Sequence, residues 1–356
     1  MAVVKAGYWL PDSGIPVSDI DASFFTHFFY AFADLDPQNQ VTIPPQDQIT
    51  LSTFKTTLQR SNPSIKTLLS IGGENTPADY FSSMASDATS RKEFIDSSIE
   101  IALKHSFDGL NLDWNFLDTE TDDTTNLGLL LKEWRANVKA KATSASQPAE
   151  LLLTASVYHS PERRAGRARI TYPVDSMKEN LDWVNVKAYD YYMPYSFQVT
   201  SSHAPLYERH GRLCTSSCIQ SWIRAGLARD KIVMGLNFYG FAFKLADPAK
   251  NGLGAPAIGP FTADGKMSYK EIDAFIQKNE AAILYKADMG TNYCHSGSTW
   301  ICYDDVKAIK TKVKYASREG LRGFFAWNVT DDDEWILSGV GTYYKSHPSK
   351  FFISLL

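Results

Sequence analysis

The stretch Asp108-Gly-Leu-Asn-Leu-Asp-Trp-Asn115 alternates apolar and polar residues. In an extended chain this puts Leu110, Leu112 and Trp114 on one face, and Asn111, Asp113 and Asn115 on the other. Carboxyl groups in such a row could move protons. Asn111 and Asn115 are amides, which have no proton to donate at a useful pKa, so in that row only Asp113 is left to do it. A second polar string, Lys187-Ala-Tyr-Asp190, puts Lys187 and Tyr189 on a shared face. An ammonium group facing a protein interior needs a counter-charge. Asp113 is the first candidate and Asp108 the second; the alternative is a lysine that snorkels outward through the helix layer to solvent. Asp118, Glu120, Asp122 and Asp123 follow the first string. Their ordinary reading is a solvated acidic loop and helix N-terminus, and the other is residual proton donation.

The four cysteines fall in two close pairs, Cys214/Cys218 and Cys294/Cys302. No His-Cys cluster with zinc spacing accompanies them, so neither a metal nor another cofactor is expected. Two disulfides in an oxidising compartment are the expectation, with free buried thiols as the alternative. The first residues carry no signal-peptide pattern, and a secreted or vacuolar location is expected of the processed protein.

These side chains need a scaffold, and the sequence supplies eight strand-like runs. They are Lys5–Leu10, Phe24–Ala33, Lys66–Ile71, Gly109–Phe116, Leu151–Tyr158, Trp183–Tyr189, Lys231–Tyr239 and Gly323–Val329. Amphipathic segments separate them. Residues 91–105 align Phe94, Ile95, Ile99 and Leu103, and residues 126–140 align Leu127, Leu130, Leu131, Trp134 and Val138. This alternation predicts the α/β class and a parallel sheet, and eight strands can close a (β/α)8 barrel. The connection after the seventh run is too long for a loop. Residues 241–311 are therefore expected to form a small α+β insertion, with 1–240 and 312–356 as the barrel. Chemistry in such barrels sits at the carboxyl ends of the strands, which singles out Tyr8, Phe32, Gly73, Asp190, Tyr192, Tyr239 and Trp327. His27 reads as a satisfied barrel histidine. The sequon Asn328-Val-Thr330 is expected to be unused, and Arg163, Arg164, Arg167 and Arg169 to form a solvated loop.

The 356 residues carry a formal net charge of −4 and no basic stripe, so nucleic acid is not an expected partner. No apolar run approaches the roughly 18 residues that span a bilayer, so neither is a membrane. The chain holds 8 Trp, 18 Tyr and 20 Phe. Most belong in a core, but the excess also suits a groove in which aromatic rings stack on the apolar faces of sugars.

Asp108–Asn115 resembles the DGxDxDxE signature of glycoside hydrolase family 18. Gly72-Gly73 after Leu69-Ser70-Ile71 resembles its SxGG motif, Lys187-Ala-Tyr-Asp190 its MxYD motif, and Trp327 its strand-eight tryptophan. The motifs occur in the family's order, and the whole chain is similar to plant class V chitinases. In that family a glutamic acid protonates the glycosidic oxygen and the substrate's own acetamide attacks the anomeric carbon. The middle aspartates orient the acetamide, and the tyrosine of MxYD hydrogen-bonds it. On this resemblance Asn115 stands at the acid position, Asn111 at the inner aspartate and Lys187 at the methionine. Asp108 and Asp113 remain, and Leu117 stands where a proline is usual.

General-acid catalysis is worth about 10²–10⁴ in rate, so no enzyme activity is expected. The retained groove implies a lectin, similar to the chitinase-related agglutinins of legumes. Its expected ligands are chitin oligomers or the N-glycans and mannose of glycoproteins, and a homodimer would let it cross-link them. The expected ligand-binding set is Tyr8, Phe32, Gly73, Asp113, Asn115, Lys187, Tyr189, Asp190, Tyr192, Tyr239 and Trp327. The alternatives are a protein-directed inhibitor or storage protein, and a weak residual glycosidase. A buried Lys187–Asp113 pair across the old catalytic floor is the sharpest structural expectation.

Overall fold

A computed structural model describes residues 3–74, 76–114, 122–144, 150–165, 168–208 and 211–344. Asn115, Phe116, Leu117, Asp118, Glu120 and Arg167 lie outside the described residues.

Eight parallel strands form a closed barrel: β1 (Val4–Trp9), β2 (His27–Leu35), β3 (Lys66–Gly72), β4 (Gly109–Asp113), β5 (Leu152–Val157), β6 (Trp183–Val186), β7 (Ile232–Asn237) and β8 (Gly323–Trp327). They pair in sequence order, and β1 closes on both β2 and β8. Each matches one of the eight apolar runs. The parallel register sets Asn111 beside Ser70 on one neighbour and Thr154 on the other, and Asn185 beside Ser156. Polar residues therefore meet at one level of the lumen.

The alternation on β4 holds. Leu110, Leu112 and Trp114 are buried in the layer between barrel and helices, together with Leu130, Leu131 and Trp134. Those last three lie on the helix Asp123–Ser144. The helix Ala88–Lys104 presents Phe94, Ile95 and Ile99 to the same layer, as the 3.6-residue period requires. Asp87 caps it by accepting from the backbone N–H of Ser90 at 2.9 Å. Asp123, expected in a solvated stretch, is instead buried and accepts from Ser82 Oγ at 2.8 Å.

After β7 the chain leaves the barrel for a second, six-stranded sheet that begins at Tyr239 and ends at Tyr303. The helix Tyr269–Asn279 packs on it, held by a capping box between Ser268 and Glu271. The next helix, Val306–Arg318, runs across position 311 and leads back to β8. The arginine-bearing segment, expected as a loop, instead contributes two antiparallel strands, Glu162–Ala165 and Ala168–Thr171.

Both expected disulfides are absent, and all four thiols are free and buried. Cys294 lies opposite Ile301 and Cys302 opposite Tyr293. A one-residue offset between paired strands turns the two side chains to opposite faces. Cys294 accordingly joins the cluster with Ile272, and Cys302 the cluster with Trp300. Cys214 precedes the helix Thr215–Arg224 with an extended backbone, and its sulfur approaches Ser216 and Ser217. Cys218, one turn into that helix, points its thiol at the His159 carbonyl 2.6 Å away. Burial pushes the Cys294 and Cys302 thiols up to about 12, so neither is a thiolate at neutral pH.

Candidate functional site

The lumen is filled from below by a charge-free network. Asn111, fully buried, donates from Nδ2 to Ser70 Oγ at 2.8 Å and to Ser156 Oγ at 3.1 Å. Its Oδ1 accepts from Thr154 Oγ1 at 2.8 Å and from Asn185 Nδ2 at 3.3 Å. Asn185 also donates to the Tyr8 hydroxyl at 2.8 Å, and Trp183 Nε1 donates to Asn185 Oδ1 at 2.9 Å. An amide at 111 satisfies donors and acceptors on both sides. A carboxylate there would add an uncompensated buried charge. Tyr8 is part of this layer: 1% exposed, stacked on Phe29 and held by hydroxyl contacts, it does not line the groove.

One level higher the lumen becomes ionic. Lys187 Nζ donates to Asp113 Oδ1 at 2.8 Å, so the lysine turns inward and its expected partner is the right one. Asp113 is 2% exposed and the lysine side chain 25%, so the pair has one open side. Asp108 lies at the start of β4, where Lys55, Lys66 and the Thr67 N–H hold it. Burial raises its carboxyl, but those partners outweigh that and hold it below the usual range. His27 hydrogen-bonds Thr26 through Nδ1 and packs edge-on to Trp183. Burial pushes it down to about 4, as a neutral barrel histidine requires.

The Lys187–Asp113 pair opens into a central cavity of about 220 Å³. Phe32, Gly73, Lys187, Tyr189, Asp190 and Trp327 line it, all of them expected, as does Asp113. Gly72 and Gly73 have φ of 106° and 82°, conformations that favour glycine. A side chain on Gly73 would begin 2.6 Å from the Phe32 ring. The Gly73 N–H donates to the Asp113 carbonyl at 2.9 Å, tying the β3 turn to the end of β4. Trp327 packs against Tyr8 and Phe32 and remains half-buried, a floor with one face toward the cavity. Asn328, the sequon residue beside it, donates to Asp331 and accepts from Thr330 N–H.

On the β6–β7 side the groups form a relay. Tyr239 donates to both oxygens of Asp190, at 2.6 and 2.7 Å. Asn237 Nδ2 donates to His203 Nε2 at 3.0 Å, which leaves His203 Nδ1 to donate to Asp190 Oδ1 at 3.0 Å. Burial and the Asp190 charge push the Tyr239 and Tyr189 hydroxyls well up, so both stay protonated. Tyr239 supports Asp190 from below and does not line the cavity. Nor does Tyr192, whose hydroxyl is spent on the backbone of Leu213 while Arg212 covers its ring.

Sequence reasoning missed Glu74, Tyr158, His159, Met193, Tyr195 and Lys266 in the cavity wall. Glu74 directly follows Gly72-Gly73, so the strand-end rule reached its neighbour and stopped short. Tyr158 and Tyr195 are 42% and 61% exposed rim aromatics. His159 carries a buried Nδ1 without a hydrogen-bond partner among the described residues. Burial pushes it down to about 4, leaving it neutral. Lys266 comes from the inserted sheet, and no local pattern could have placed it.

The comparisons agree with this architecture. The sequence profile of glycosyl hydrolases family 18 matches residues 4–332. A class V chitinase of Arabidopsis thaliana is 45% identical over 94% of this chain and 88% of its own length. The crystal structure of a class V chitinase from Nicotiana tobaccum superposes with a TM-score of 0.93 at 43% identity, covering 96% of this chain and 99% of that one. A mutant of it is solved in complex with NAG4. A chitinase-like agglutinin from Robinia pseudoacacia superposes with a TM-score of 0.88 at 41% identity, covering 96% of this chain and all of that one.

Proposed function

The chain belongs to glycosyl hydrolases family 18, and we propose that it is a lectin on that family's barrel, holding a glycan without cleaving it. The observation that carries this reading is the Lys187–Asp113 pair at 2.8 Å. Substrate-assisted cleavage needs a free carboxylate to orient the acetamide and an acid to protonate the leaving oxygen. Here an ammonium engages the carboxylate, and Asn115 replaces the acid in the sequence. Binding needs neither. It needs an aromatic floor and convergent polar groups, which Trp327, Tyr189, Asp190, His159 and the rim tyrosines supply. Chitin oligomers or the mannose-rich parts of N-glycans are the ligand classes. The reading includes a secreted or vacuolar setting, and a second copy of the chain wherever glycans are cross-linked.

A glycan array, run with and without free chitotetraose, tests this. Selective binding without release of reducing ends is expected. A blank array with folded protein would overturn the reading and leave a storage or protein-directed role. Reducing ends that appear on prolonged incubation and vanish when an acid that follows β4 in the sequence is removed, as in Glu120→Gln or Asp122→Asn, would restore the enzyme.

A further inference from the structure

The groove has a second arm. Phe32, Glu74 and Trp327 are shared between the central cavity and an outer cavity of about 420 Å³. Among the described residues the outer lining holds four carboxylates, Asp12, Asp34, Asp47 and Glu74, and no lysine, arginine or histidine. The central cavity offsets its own acids with Lys187 and Lys266. Among the described residues none of the four outer carboxylates takes part in an ion pair. Burial and the charge of Asp47 raise the Asp34 carboxyl, with Thr76 acting against them. The Tyr30 side chain is fully buried against Trp9 and Phe54, and among the described residues its hydroxyl makes no hydrogen bond of normal geometry. Burial and then the charges of Asp47, Asp12 and Asp34 push it upward.

A neutral sugar entering this arm would strip water from the carboxylates and return little. An ammonium group would return a charge-assisted hydrogen bond to each acid it reached. We propose that the outer arm selects an oligosaccharide bearing a free, cationic amine, that is, a deacetylated amino sugar of the chitin type. The shared floor of Trp327 and Phe32 lets one linear chain run from the acidic arm into the charge-balanced centre. This specificity rests on the lectin reading above.

The test is calorimetric titration of the whole protein with chitotetraose and with its fully deacetylated counterpart, in mildly acidic buffer at low and high salt. The deacetylated tetramer is expected to bind about tenfold tighter at low salt. That advantage should vanish near 1 M salt, where charges are screened within about 3 Å. Asp34→Asn with Asp47→Asn should bring the ratio of the two affinities close to one. Glu74→Gln, a substitution at an exposed position, should lower the ratio in part and serves if the double variant does not fold. Equal or tighter binding of chitotetraose, independent of salt, would overturn the proposal and leave the lectin standing. Failure of both tetramers to bind would also overturn this inference, and the glycan array then decides whether the lectin reading survives on N-glycans.

Discussion

Two lysine–carboxylate pairs in this molecule share their chemistry and differ in their surroundings. Lys312 and Asp304 are each 1% exposed. Lys312 also donates to the Ala204 carbonyl at 2.5 Å, and Asp304 accepts from Thr291 at 3.3 Å. That pair is closed on every side and clamps the helix Val306–Arg318 to the inserted sheet and to the segment after β6. Lys187 and Asp113 bond equally directly, but the lysine faces a cavity. The enclosed pair holds elements together. The open one sets the charge of the cavity wall, because both partners line it.

The comparison can be broken by removing each lysine. Lys312→Met strands Asp304 in a closed site and should cost about 3–5 kcal/mol in urea unfolding. A loss within the roughly 0.5 kcal/mol of ordinary surface changes would mean that the clamp is ornamental. Lys187→Met exposes Asp113 to a cavity that water can enter, so about 1–2 kcal/mol is expected. Adding Asp113→Asn should recover most of it. A loss as large as that of Lys312→Met would make the site pair equally structural.

Trp327→Ala should leave most of the stability and weaken chitotetraose binding about tenfold. Unchanged affinity would move the ligand off this floor. A smaller effect is expected with pH. Burial pushes Asp331 up from 3.8 to about 7. Between those values the folded protein binds more protons than the unfolded chain, so stability should fall as pH rises through the window and level off above it. Asp331→Asn should flatten that slope, read as melting temperature against pH. The smallest effect belongs to Asn115→Glu. Alone it should restore no turnover, because Asn111 and Lys187 remain, and robust release of reducing ends would show the rest of the site to be intact.

The barrel was legible because its signal is repeated: eight apolar runs with helical segments between them leave few architectures. The Lys187–Asp113 contact was legible for a narrower reason. Alternation fixed which face each side chain takes, and an inward ammonium leaves few partners. Alternation also explains the failure at Cys294 and Cys302. Closeness in sequence implied a bond, but the hairpin register, set by the turn between them, sends the two sulfurs to opposite faces. The strand-end rule singles out Tyr8, Tyr192 and Tyr239, yet hydroxyl bonds beneath or behind the floor claim them. Lys266 and the acids of the outer arm come together only through tertiary packing of distant segments.

The most direct test of the central claim is to titrate the protein with chitotetraose and weigh the ligand by mass spectrometry after prolonged incubation. Saturable binding with the tetramer recovered intact is the predicted result. Recovery of shorter oligomers, abolished by denaturing the protein, would contradict it.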